Sequence, residues 1–224
     1  MTAPAPLLPA LPWFRSRVVP VIVITEVAQA VPLAHALLEG GVDVMEITLR
    51  HAAGLPAIEA VARQVPQMLV GAGTVTRAHE MRDVQQAGAR FALSPGMTES
   101  LVRAAQTCHL PFMPGVMTPG EVMQAREWGF SLVKLFPAAQ AGGLAMLKSL
   151  AGPLGDMMFC PTGGVSSANL QEYLTLPHVP LVGGSWLTPP EVLAQGDWAA
   201  ISRLAREATQ RADAAPTAAP RVTS

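Results

Sequence analysis

Short apolar, β-branched runs alternate along this chain with segments whose apolar residues recur at helical spacing. The first run, 18–24 (VVPVIVI), is continuously apolar, as a strand buried on both faces requires. The segment 25–39 then carries Val27, Val31, Ala34, Leu37 and Leu38 at helical spacing and stops at Gly40-Gly41. The same reading gives strands at 42–47, 68–71, 90–93, 111–113, 131–135, 157–160 and 179–182. Helices follow at 55–65, 77–87, 98–108, 118–128, 144–150, 167–174 and 190–211. Strand followed by helix, at a spacing of roughly 20 to 25 residues, implies a parallel sheet. Eight such units predict an α/β fold, a single (β/α)8 TIM barrel with an N-terminal extension. The alternative is an open doubly wound sheet; the missing G-x-G-x-x-G after the first run counts against it. Pro20, inside the first run, is awkward for a central strand.

The length of 224 residues fits one domain spanning 1–224, and no composition shift marks a second. Half the residues are hydrophobic and 14% are charged, so a large core is expected. The net charge of −1, with no basic block, gives a nucleic acid or an anionic membrane no electrostatic attraction. No apolar run approaches the ~18 residues of a membrane span. The start, 1–12, is proline-rich and lacks a basic n-region, so it reads as a flexible start and a poor signal peptide. The Ala/Pro/Thr-rich stretch 211–224 reads as a frayed tail. Cys108 and Cys160 have no CxxC or Cys/His spacing, and the five histidines form no ligand pattern. Free thiols in a reducing cytoplasm, and no metal, are the expectation.

In a β/α barrel the chemistry sits at the carboxyl ends of the strands, so the residues closing each apolar run matter most. The sixth run, SLVKLFP, holds Lys134, one of two lysines against thirteen arginines. A charged ammonium is costly to bury there, and a neutral amine in a dry pocket can attack a ketone to form a Schiff base. The alternative is a lysine whose stem packs while its head reaches water. Glu46 lies in an equally apolar run, MEITL, where a carboxyl group suits proton shuttling. It could instead form a structural ion pair with Arg50 or Arg17. Arg50, just past that strand, is placed to grip a substrate carboxylate, unless it is simply a surface arginine. In GAGT the glycines allow close backbone approach and leave the Thr74 hydroxyl for a ligand, or they merely serve a tight turn. Thr162-Gly163-Gly164 and Gly183-Gly184-Ser185 end the last two runs, with Ser166 or Ser167 as a helix N-cap. Glycine-exposed amides after strands seven and eight predict a phosphate site.

Taken together, EITLR, GAGTVT, SPG, PGVMTP, KLFPA, CPTGG and GGSWL resemble, in collinear order from about Val18 to Ala208, the 2-dehydro-3-deoxy-6-phosphogluconate (KDPG) aldolases. These are grouped with the 4-hydroxy-2-oxoglutarate (KHG) aldolases. The resemblance implies a class I aldolase on a β/α barrel, typically a homotrimer, with no metal and no cofactor beyond the covalent Schiff base. Lys134 matches the Schiff-base lysine and Glu46 the acid/base. Arg50 and Thr74 match the binders of the pyruvate carboxylate, and Pro95 and Phe136 the apolar walls. Thr162, Gly163, Gly164, Gly184 and Ser185 match the phosphate-end contacts. The implied reaction cleaves the sugar-acid phosphate to pyruvate and D-glyceraldehyde 3-phosphate. Alternatives are cleavage of 4-hydroxy-2-oxoglutarate to pyruvate and glyoxylate, or of the galactonate epimer. More distant ones are a phosphate-binding barrel isomerase or decarboxylase, and a non-catalytic sugar-phosphate binder.

Overall fold

Nine short strands, all paired in parallel among the described residues, carry the fold. The computed structural model describes residues 14–216. The strands are β1 (Val18–Ile22), β2 (Val44–Thr48), β3 (Leu69–Gly73), β4 (Ala92–Leu93), β5 (Phe112–Met113), β6 (Gly115–Val116), β7 (Leu132–Leu135), β8 (Met158–Pro161) and β9 (Val182–Gly184). Between and after them run α1 (Ala30–Glu39), α2 (Gly54–Gln64), α3 (Ala78–Gln86), α4 (Glu99–Cys108), α5 (Pro119–Glu127), α6 (Gly143–Leu150), α7 (Leu170–Leu174), α8 (Pro190–Gln195) and α9 (Trp198–Asp213).

The closed eight-stranded barrel expected from the repeat is not what the ladders form. Hydrogen bonding gives a curled six-stranded sheet, ordered β5-β4-β3-β2-β1-β9, and a separate three-stranded sheet, β6-β7-β8. The break has a local cause. Pro114 has no N–H to donate, and it falls between β5, which pairs with β4, and β6, which pairs with β7. On the other side, β8 and β9 are joined only by an isolated bridge between Thr162 and Gly183. Pro20 marks a similar change of partner, since β1 pairs with β9 up to Pro20 and with β2 from Val21. Pro180 displaces the strand expected at 179–182 to Val182–Gly184.

Side chains alternate across these strands with period two. Val18, Ile22, Met45, Ile47, Val133 and Leu135 face the helices and are fully buried. Val19, Val44, Phe91, Leu93, Met113 and Cys160 form a second cluster on the opposite, inner face. Glu46 and Lys134 share that inner face by the same alternation.

Several ends differ from the sequence reading. The helix expected at 25–39 starts as a 3-10 turn over Val27–Gln29 and becomes α-helical at Ala30. The helix expected at 190–211 is divided by Gly196 (φ +64°), and Asp197 Oδ1 accepts from Ala200 N–H at 2.9 Å to start α9. Neither Ser166 nor Ser167 caps α7, which begins only at Leu170; Ser166 N–H instead donates to Asn169 Oδ1 at 2.8 Å. The stretch read as a tail from 211 begins inside α9, with Ala212 and Ala215 buried. Their carbonyls, with those of Leu174 and Pro180, accept from the Arg17 guanidinium at 3.1 to 3.3 Å. Burial pushes the Arg17 pKa down, and the Asp213 charge opposes that shift. The rest of that tail, 217–224, and the start 1–12 lie outside the described residues. Among the described residues no helix is long and apolar enough to cross a membrane.

Candidate active site

Lys134 stands in the middle strand of the smaller sheet, level with Gly115 on β6 and Cys160 on β8. Glu46 stands on β2 of the larger sheet, level with Val21 and Gly71. The two side chains meet across the inner space, with Lys134 Nζ donating to Glu46 Oε1 at 2.9 Å and Oε2 at 3.1 Å. Both are buried, at 5% and 1% side-chain exposure. The structure therefore pairs Glu46 with Lys134, not with Arg50 or Arg17, and the lysine head does not reach water. Two charges taken out of water cost several kcal/mol each, so such a pair persists only with close mutual contact.

Two backbone features lie next to this pair. Gly73 ends β3 beside Glu46, and a Cβ there would lie 2.0 Å from Glu46 Oε1. The carboxyl group occupies the space that any side chain at 73 would need. The next residue, Thr74, is half-buried and has φ +59°, a left-handed conformation that β-branched residues rarely adopt. Strain of this kind persists where the surroundings over-determine it, commonly at functional sites.

Pro95 is exposed, in the turn after β4, and its backbone fills the space a side chain at Gly115 would take. It therefore packs on the register partner of Lys134. Buried Ser94 ties the same turn down, donating to Gly96 O at 2.5 Å and accepting from Gly115 N–H at 3.4 Å. The Phe136 ring centroid is 5.6 Å from Lys134 Nζ.

Phe136 also lines a cavity of about 550 Å³ at the carboxyl ends of the strands. Of the residues singled out from sequence, the cavity gathers Arg50, Phe136, Thr162, Gly163, Gly164, Gly184 and Ser185. Lys134, Glu46, Thr74 and Pro95 are not in its lining. The first two form a closed pair beside it, adjoined by two lining residues, Phe136 next to Lys134 and Val21 level with Glu46. Arg50 is exposed at the rim, with no hydrogen bond or ion pair among the described residues. Gly163 and Gly164 have φ of +92° and +83°, a paired left-handed turn that side chains would strain. Thr162 is buried, its hydroxyl donating to Cys160 O at 3.3 Å. The glycine-rich ends do not run straight into helices, since α7 and α8 start several residues later.

Sequence reasoning missed Val23, Thr25, Gln29, Thr188 and Leu193, which also line the cavity. They lie beyond the strand ends or on α8, and no local motif marks them. Among the described residues no group of three or more His, Cys, Asp or Glu is placed to hold a metal ion.

The model of the KDPG and KHG aldolase family matches residues 13–204. The chain belongs to this family. It is 47% identical over 195 residues to the KHG/KDPG aldolase of Escherichia coli strain K12, covering 87% of this chain and 92% of that protein. Its fold is similar to the KDPG aldolase of Legionella pneumophila, with a TM-score of 0.85, 45% identity and 87% and 94% of the two chains covered. That crystal structure holds pyruvate captured at low pH as a covalent carbinolamine intermediate. The Zymomonas mobilis aldolase solved with 3-phosphoglycerate gives a TM-score of 0.84 at 40% identity, covering 91% and 93%. In this KDPG/KHG aldolase family member, the buried lysine–glutamate pair and the glycine-edged cavity are the features to be accounted for.

Proposed function

We propose that this protein is a class I aldolase that cleaves 2-dehydro-3-deoxy-6-phosphogluconate to pyruvate and D-glyceraldehyde 3-phosphate through a Schiff base on Lys134. The observation that carries the reading is the buried contact of Lys134 Nζ with both Glu46 oxygens, beside a cavity large enough for a sugar acid. Moving one proton along that contact turns ammonium and carboxylate into amine and carboxylic acid. The amine then adds to C2 of the 2-keto acid, and loss of water, with the proton supplied from Glu46, leaves an iminium. Glu46, again a carboxylate, takes the proton of the C4 hydroxyl. The C3–C4 pair flows into the iminium, the aldehyde leaves, and an enamine remains. Glu46 returns a proton to C3, and water releases pyruvate.

In this reading Arg50 and Thr74 fix the substrate carboxylate, and Pro95 and Phe136 wall the pyruvate end. Thr162, Gly163, Gly164, Gly184 and Ser185 hold the phosphate through backbone N–H groups and hydroxyls. The left-handed Gly163-Gly164 turn supports an anion cradle without needing a helix N-terminus. A second reading, cleavage of 4-hydroxy-2-oxoglutarate to pyruvate and glyoxylate, is favoured by the two-substrate name of the Escherichia coli relative. Cleavage of 2-dehydro-3-deoxy-6-phosphogalactonate stays in the substrate panel as the epimer control.

The test is kcat/KM over those three substrates. A preference for the gluconate phosphate supports the first reading, equal use of the five-carbon acid makes the enzyme bifunctional, and no cleavage of any rejects aldol chemistry. A cytoplasmic, single-domain homotrimer completes the proposal. The trimer is supported by the family resemblance and is tested by light scattering.

A further inference from the structure

The aldehyde end of the cavity is bounded by two segments that no ladder joins. One is the stretch after β1 that carries Val23, Thr25 and Gln29; the other is the stretch after β9 that carries Ser185, Thr188 and Leu193. Val21 is level with Glu46 and β1 ends at Ile22, so the first stretch rises beyond the level of the buried pair. β1 and β9 pair only from Val18 to Pro20, so their ladder ends at Gly184 on the cavity's edge and runs along neither stretch.

Above that level, among the described residues, one hydrogen bond joins the two walls: Gln29 Nε2 donates to Leu193 O at 3.3 Å. The orientation of the amide follows from its other end, where Gln29 Oε1 accepts from Glu26 N–H at 3.4 Å in the turn that opens α1. That leaves the nitrogen, which can only donate, facing the Leu193 carbonyl. Leu193 O lies in the last turn of α8 and also accepts from Gly196 N–H at 3.1 Å. α8 is six residues long, capped by a left-handed glycine, and no ladder holds it to β1. A short element of this kind opens at low cost unless something ties it.

We infer that Gln29 is a positioning residue for specificity: it clamps α8 across the cavity and sets the width of the end that receives the aldehyde portion. The inference rests on the aldolase reading and deepens it. A three-carbon aldehyde phosphate extends from the buried pair to the Gly163, Gly184 and Ser185 rim, and needs the α8 wall in place. The two-carbon glyoxylate portion ends short of that wall. The pyruvate portion lies on the Lys134 side and is not touched by the clamp.

Gln29→Met keeps the length and removes both hydrogen bonds. For the sugar-acid phosphate, KM rises about three- to tenfold with kcat within about twofold, the scale of one lost hydrogen bond. For 4-hydroxy-2-oxoglutarate, and for the rate of borohydride inactivation with pyruvate, the variant matches the wild type. A thermal melt confirms that the variant is folded. Equal losses on both substrates, a loss in kcat instead of KM, or no change on either overturns the clamp. A wild-type enzyme that cleaves neither substrate overturns the aldolase reading itself, and the clamp with it.

Discussion

Lys134 Nζ sits between both carboxyl oxygens of Glu46, at 2.9 and 3.1 Å, and this contact joins the two sheets across their inner face. One bond therefore serves packing and, in the proposed mechanism, chemistry. Glu46→Gln keeps the shape but leaves a buried ammonium without a counter-charge. It should lower kcat by about 10²- to 10⁴-fold, the usual worth of a positioned acid/base. It should also cost about 3–5 kcal/mol of stability, the scale of a broken buried pair. Steady-state kinetics and urea unfolding measure the two effects. A kcat within tenfold of wild type would remove Glu46 from the proton path.

Gly73 is the second constraint on that carboxyl group. Because a Cβ at 73 would lie 2.0 Å from Glu46 Oε1, Gly73→Ala must displace the acid/base. A shift of about 1 Å in a reacting group can cost on the order of 100-fold in rate. The expected result is a large fall in kcat, with Arg50, proposed to grip the substrate carboxylate, untouched and KM for the keto acid little changed. Full activity in Gly73→Ala would show that Glu46 has room the structure denies it.

Thr74 holds a left-handed backbone that asparagine adopts more readily. Thr74→Asn should raise stability by roughly 1 kcal/mol, since strain of this kind costs about 1–3 kcal/mol. The same change removes the hydroxyl assigned to the substrate carboxylate, so kcat/KM should fall. Thermal melts and kinetics on one preparation test both halves. A variant both more stable and fully active would assign the strain to folding alone.

Two carboxylates make the fold acid-sensitive. Burial pushes the Asp43 carboxyl up, but hydrogen bonds from Arg15 and Ser16 N–H and the Arg15 side chain outweigh it and hold it below its usual value. Glu121 is lowered in the same way by the N–H groups of Met117 and Thr118 and the Thr118 hydroxyl, again against burial. A lowered carboxyl stabilises the fold above its unfolded pKa, 3.8 for Asp43 and 4.5 for Glu121, and that contribution disappears as pH falls through the lower folded value. Unfolding free energy in urea should therefore drop below about pH 4.5, and less steeply in Asp43→Asn and Glu121→Gln. Identical slopes in all three proteins would contradict these assignments.

Cys160 is fully buried beside the pair, and burial pushes its thiol up to about 12. The neutral thiol is inert as a nucleophile. Iodoacetamide on the native enzyme should leave Cys160 unlabelled, with any label on half-buried Cys108. The raised value also means that this group's contribution to stability is intact below 9.0 and is lost as pH rises from there towards about 12. Peptide mapping that finds Cys160 modified at neutral pH in folded enzyme would contradict the burial.

The candidate site was legible because its residues lie in or just after the strands. A lysine and a glutamate inside apolar runs, and glycines closing two others, are visible without any knowledge of tertiary structure. The partner of Glu46 was not legible, because it lies 88 residues away on a strand of the other sheet. The division into two sheets was also hidden. It depends on Pro114 falling between two-residue strands, and a repeat count cannot register that. Helix starts failed where another side chain took the local N–H, as Asn169 Oδ1 does by accepting from Ser166 N–H. Gln29 and Leu193 carry no local signal, since their relationship spans 164 residues.

Borohydride trapping with pyruvate, followed by peptide mass mapping, tests the central claim most directly. The account predicts one label, on Lys134, lost in Lys134→Met. A label on Lys148, or none while the enzyme still turns over, would contradict it.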